Sequence, residues 1–164
     1  MKRLAGKSVR ADVAAGVVAG IVGLVVIVLI WVSLVYPAPV ASGGGGSTLS
    51  GNSIALREHE WGFAGGGYAL AKGGPEICAN SNNATLNITL TNSGINFHGF
   101  QIVRADTGAF VAGLNKTDLL SRGETRHLKI DLRRIAPGSY YYICPVAGHR
   151  QKGMVAPFIV QSGC

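Results

Sequence analysis

Twenty-four consecutive residues, Val13 to Tyr36 (VAAGVVAGIVGLVVIVLIWVSLVY), carry no charged side chain. At ~1.5 Å rise per helical residue this stretch reaches roughly 36 Å, more than the ~30 Å hydrocarbon core of a bilayer. The rest of the 164-residue chain is not large enough to surround so apolar a helix inside a soluble core. A cleaved secretory signal is the other candidate. Its apolar core should run ~7–15 residues and end at a small-residue cleavage site; this run is longer and has no convincing site behind it. The stretch reads as a single transmembrane α-helix, with Trp31 and Tyr36 in the interfacial aromatic belt. It also accounts for a charged content of only 14%, against ~25% in ordinary soluble domains.

Orientation and domain order follow from the flanks. Lys2, Arg3, Lys7 and Arg10 precede the span, opposed only by Asp12, and no Lys or Arg follows until Arg57. Positive charge stays on the cytoplasmic side. The expected arrangement is therefore a cytoplasmic basic N-terminus (residues 1–12), a single-pass span in the cell membrane (13–36), and everything beyond on the external face. Residues 37–53, PAPVASGGGGSTLSGNS, are a Pro-stiffened, Gly/Ser-rich tether; ~16 residues of such coil reach about 20–25 Å. The remaining head, 54–164, is mildly basic without any Lys/Arg cluster interleaved with aromatics, which excludes nucleic-acid binding.

The head shows short alternating or apolar runs broken by Gly, Asn, Ser and Pro, with no sustained helical periodicity. Ser53–Glu58 with Trp61–Phe63 predicts a first strand. Ala84–Asn92, Phe97–Arg104, Thr125–Leu132, Gly138–Cys144 and Val155–Val160 predict the others. Six or seven such strands argue an all-β antiparallel sandwich. Three sequons (at Asn83, Asn87 and Asn115) are compatible with an external face. Cys78 and Cys164 form an even pair outside the membrane; a bridge between them and a free or intermolecular Cys164 are both open.

The stretch that carries chemistry is Tyr140–Met154, YYYICPVAGHRQKGM, which spaces Cys144, His149 and Met154 as C-x4-H-x4-M between two strands. Thiolate, imidazole and thioether form a soft ligand set, and two His, one Cys and a weak axial Met compose a mononuclear blue-copper site. Of the three other histidines, His98 begins a strand beside a turn-prone segment. His59, between Glu58 and Glu60, reads as a solvated strand edge, and His127 as an exposed mid-strand residue. His98 is the favoured fourth ligand. Arg150 and Lys152, inside the loop, would ring an exposed His149 edge and favour an acidic patch on a redox partner; a solvated loop face has the same composition.

GSYYYICPVAGHRQKGM followed by an apolar strand resembles the C-terminal ligand loop of cupredoxins, and most of all the sulfocyanin and rusticyanin branch. The resemblance covers about Glu60 to Val160. It implies a Greek-key β-sandwich holding one type 1 Cu(I)/Cu(II) ion through His98, Cys144, His149 and Met154. It further implies an electron carrier rather than an enzyme, exchanging single electrons with respiratory complexes such as a quinol-oxidising complex and a terminal haem-copper oxidase. A copper carrier or metallochaperone, and a metal-free interaction sandwich, are the competing functions. Enzyme chemistries lack their residues. A dinuclear copper centre needs a second loop Cys, where Gly148 stands, and a multicopper site needs a His before the Cys, where Ile143 stands. Two departures from the family pattern stand out. Gly99 replaces the polar residue that usually follows the first ligand, so another group must brace the loop. Pro145 has no N–H to offer the thiolate.

Overall fold

The computed structural model describes residues 47–69 and 71–164. The expected span 13–36 and nearly all of the tether lie outside the described residues; among those described, no helix is long and apolar enough to cross a membrane. Among the described residues, ten strands form two sheets. The larger has the order β1 (Thr48–Ser50), β4 (Glu76–Asn80), β10 (Val155–Gln161), β9 (Gly138–Ile143), β6 (Gln101–Arg104), β7 (Phe110–Gly113). The smaller has the order β3 (Gly62–Ala64), β2 (Ser53–His59), β5 (Thr85–Asn92), β8 (Thr125–Asp131). A short 3-10 turn, Leu132–Arg134, follows β8, and one helical turn, α1 (His149–Lys152), precedes β10.

β5 shows why the alternating runs were readable. Leu86, Ile88 and Leu90 are buried while Asn87 is exposed, the period-2 pattern of a strand with one face on the core. The inner faces of both sheets merge in one core. Phe63 of β3 lies edge-on to Phe100 and Tyr142 at centroid separations of 6.3 and 4.8 Å, tying the two sheets together. The Tyr142 hydroxyl, too deep to reach water, donates to the Pro75 carbonyl at 2.6 Å.

Several expectations are corrected. The sandwich is mixed rather than antiparallel: β1 with β4, β4 with β10 and β2 with β5 pair in parallel. Ser53–Glu58 and the Trp61–Phe63 segment are not one strand but the two arms of a hairpin, β2 and β3. The sheet already begins at Thr48, within the segment read as tether. Three strands were not anticipated (β1, β4 and β7). β4 is buried along its three central residues, so it shows no alternation, and β1 and β7 are too short to display a period. Finally, the predicted strand Phe97–Arg104 begins only at Gln101. His98 instead makes an isolated bridge to Leu120, with each backbone N–H donating to the other's carbonyl. Cys78 and Cys164 are joined in a disulfide, which fastens the end of the chain to β4.

Candidate metal centre

Cys144 is the first residue after β9 and Met154 the last before β10, so adjacent antiparallel strands pin the loop between them at both ends. The loop is also closed on itself. The Cys144 N–H donates to the Met154 carbonyl at 3.2 Å, the Met154 N–H to the His149 carbonyl at 3.0 Å, and the His149 N–H to the Val146 carbonyl at 3.1 Å. All three predicted loop ligands are buried, Met154 completely.

The long-range ligand arrives from the segment between β5 and β6. His98 is fully buried, and its Nδ1 lies 3.9 Å from the Cys144 Sγ, with the His149 Nδ1 3.4 Å from the same sulfur. The three donor atoms lie within 4.8 Å of one another. Three of the four sequence-predicted ligands are thus brought together by their donor atoms, and Met154 joins them through its backbone bonds to the other two loop residues. The remaining histidines stand apart. His127 is exposed and pairs with the Thr89 hydroxyl. His59 is buried rather than solvated, because the tight β2–β3 turn folds it inward with its Nδ1 against the Glu60 carbonyl.

Electrostatics suit these groups to a cation. Burial lowers the basicity of both His98 and His149, so each imidazole stays neutral with a lone pair free to coordinate. Burial also pushes the Cys144 thiol up to about 11, against the opposing pull of the Val146 and Gly99 backbone N–H groups. An acid this weak yields its thiolate only to a bound positive charge. The cluster contains no carboxylate. Buried thiolate, two neutral imidazoles and an adjacent thioether are soft donors that fit copper. Pro145 withholds an N–H as expected, but Val146, one residue on, supplies the donation in its place.

Glu60 was not found from sequence. Its carboxylate accepts from the Ile95 N–H at 2.7 Å and the Asn96 N–H at 2.9 Å, and lies 3.4 Å from the His98 Nε2. Burial would raise this carboxyl, but the Asn96 and Ile95 donors and His98 outweigh it and hold it at about 2. Asn92 completes the brace: its amide donates to the Asn96 and Leu120 carbonyls at 2.8 and 2.9 Å. Together they supply what the side chain missing at Gly99 does not. The run REHEW gives no hint of this role, which exists only because the β2–β3 turn meets a loop 35 residues away.

His149 does not present the exposed edge expected of it. It is 7% exposed, because the Trp61 ring covers it edge-on at 5.0 Å and the Lys152 Nζ sits 3.8 Å over the Trp61 ring. Beside His98, Ile95 and Phe97 project into solvent at 71% and 60% exposure.

Two solved structures share this architecture. Dithionite-reduced auracyanin from the photosynthetic bacterium Roseiflexus castenholzii matches with a TM-score of 0.51 at 18% identity, over 71% of this chain and 98% of that one. The azurin Az-iso2 of the obligate methylotroph Methylomonas sp. strain J matches with a TM-score of 0.51 at 11% identity, over 68% and 98%. No family model and no curated protein matches the sequence. The fold of the head is cupredoxin-like.

Proposed function

We propose that this chain is a membrane-anchored blue-copper electron carrier working on the external face of the cell membrane. The observation that carries the reading is the buried trio of His98, Cys144 and His149 donors on a loop closed at both ends. Copper bound there would supply a reversible one-electron change between Cu(I) and Cu(II). His98, Cys144, His149 and Met154 would hold the ion, the thiolate and the two imidazoles as strong donors and the Met154 thioether as a weak one. The residues contribute stillness: strand ends, backbone bonds and the Glu60–Asn92 brace hold the donors in one arrangement, so little rearrangement accompanies a change of valence.

Electrons would pass through the patch around His149, where Trp61 forms the outer conductor and Arg150 and Lys152 supply a positive fringe. A partner with an apolar centre and an acidic rim fits that surface. By the sulfocyanin-like resemblance, a quinol-oxidising complex and a terminal haem-copper oxidase would be donor and acceptor. Burial of the whole ligand set weighs against a metallochaperone, which needs an exchangeable site. The uncharged run 13–36 supports the anchor.

The test is a visible spectrum of the oxidised full chain with one equivalent of copper. An intense thiolate-to-copper band is expected in the wild type and absent in Cys144→Ser; a colourless wild type overturns the reading. Membrane fractionation checks the anchor: the full chain should resist an alkaline carbonate wash, and release by that wash would refute the span.

A further inference from the structure

Beneath the ligand-bearing pole the core contains an acid with no evident structural role. Glu58 follows Ile54 and Leu56 on the inward face of β2, and all three are buried, Glu58 completely. Neither carboxyl oxygen has a hydrogen-bond partner among the described residues. A carboxylate placed so is costly unless it is neutralised. Its surroundings are the scaffold of the centre. Across the sheet it pairs with Asn92, whose amide holds the Asn96 and Leu120 carbonyls, and its own carbonyl takes both the N–H and the hydroxyl of Ser93. Two residues on, Glu60 braces His98.

We propose that Glu58 is a redox-linked proton site: its carboxyl takes one proton from solvent when the adjoining centre accepts an electron, and releases it on reoxidation. The inference rests on the copper reading above. The balance is one electron from a one-electron donor and one proton from water, giving a centre reduced by one unit of charge and a neutral Glu58. Charge at this depth is poorly screened, and a negative Glu58 adds to the burial that raises the Cys144 thiol. Coupling is reciprocal, so a proton on Glu58 favours the reduced centre by the same factor that reduction favours the proton.

The other charged groups around Glu58 do not supersede it. Arg126 of β8 attracts the carboxylate, but Asp118 and Glu124 already engage that guanidinium. Glu60 is committed to the Ile95–His98 segment, and β5 and β3 face Glu58 with Asn92 and Phe63, neither titratable. His59 shares the strand end, with its Nδ1 on the Glu60 carbonyl. In the metal-free chain burial pushes Glu58 up to about 8, despite Arg126, which puts the ionisation where it can be followed.

The experiment measures the reduction potential of the copper-loaded full chain on both sides of that pH, for the wild type and for Glu58→Gln, which mimics the neutral acid. In the wild type the equilibrium constant for reduction should fall by up to tenfold per pH unit, about 59 mV for one electron. In the variant it should be flat over the same interval. Two readouts need no variant: proton uptake on reduction in weakly buffered solution, and a protonated-carboxyl band in the reduced-minus-oxidised infrared difference spectrum. A blue wild type with pH-independent potential and neither proton uptake nor that band overturns this proposal alone. So does an unchanged slope in Glu58→Gln. A chain that forms no blue site overturns the copper reading and this proposal together.

Discussion

Two glutamates at one end of β2 are driven in opposite directions by what surrounds them. Glu58, buried without partners, is held up at about 8; Glu60, aimed at backbone donors, is held down at about 2. Their effects on stability have opposite signs. Glu58 contributes stability present below the unfolded carboxyl value of 4.5 and lost as pH rises through about 8. Glu60 contributes stability present above 4.5 and lost as pH falls towards 2. The depressed His98 and His149 act in Glu60's direction, their contribution being complete above 6.5. Of these four, only Glu58 therefore varies between about 6.5 and 8. Urea unfolding of the metal-free chain should show stability falling across that interval, by on the order of 1 kcal/mol per pH unit, and Glu58→Gln should abolish the slope. Glu60→Gln removes the charge that orients His98 and should weaken copper binding by roughly 10–100-fold, measured by competition with a chelator; unchanged affinity would remove Glu60 from the site. Cys144, His149 and Met154 were legible because they lie within one loop. Glu58 and Glu60 were not, because their chemistry comes from strands and turns distant in sequence.

The loops come closest where side chains are missing. A Cβ at Gly94 would fall 2.7–2.8 Å from the Glu60 carboxylate oxygens and 2.8 Å from the His98 Nε2, closer than such atoms approach. Gly94→Ala should displace both groups and reduce copper affinity more than Glu60→Gln does; equal affinity would show that the segment yields freely. At Gly99 a Cβ would stand 3.1 Å from Leu119 and 3.3 Å from the Pro145 ring. Pro145 and Leu119 thus occupy the space that a side chain at Gly99 would need. Strands with one wet face, such as β5 and β8, declared themselves by alternation. β4 did not, being buried at its centre, nor could alternation reveal that β2 runs parallel to β5.

Across the whole head, the 86-residue separation bridged by Cys78 and Cys164 is the largest covalent constraint. Replacing both by Ser should cost about 2–5 kcal/mol of stability while leaving the visible band intact, because the bridge lies apart from the ligand loop; loss of colour would show the two to be coupled. Sequence parity offered this pairing without deciding it, since only the fold brings the last residue back to β4. The strand directions also give the head a polarity. β10 starts beside Met154 and runs away from it for seven residues, about 20 Å, and β4 and β1 run the same way. The polypeptide therefore enters the sheet from the ligand-bearing pole and leaves it at the other. Grafted to an electrode through a tag after Cys164, the head would stand with its metal-binding face towards the solution and rely on a diffusing mediator; grafted through residues ahead of Thr48, it would bring that face down to the conductor.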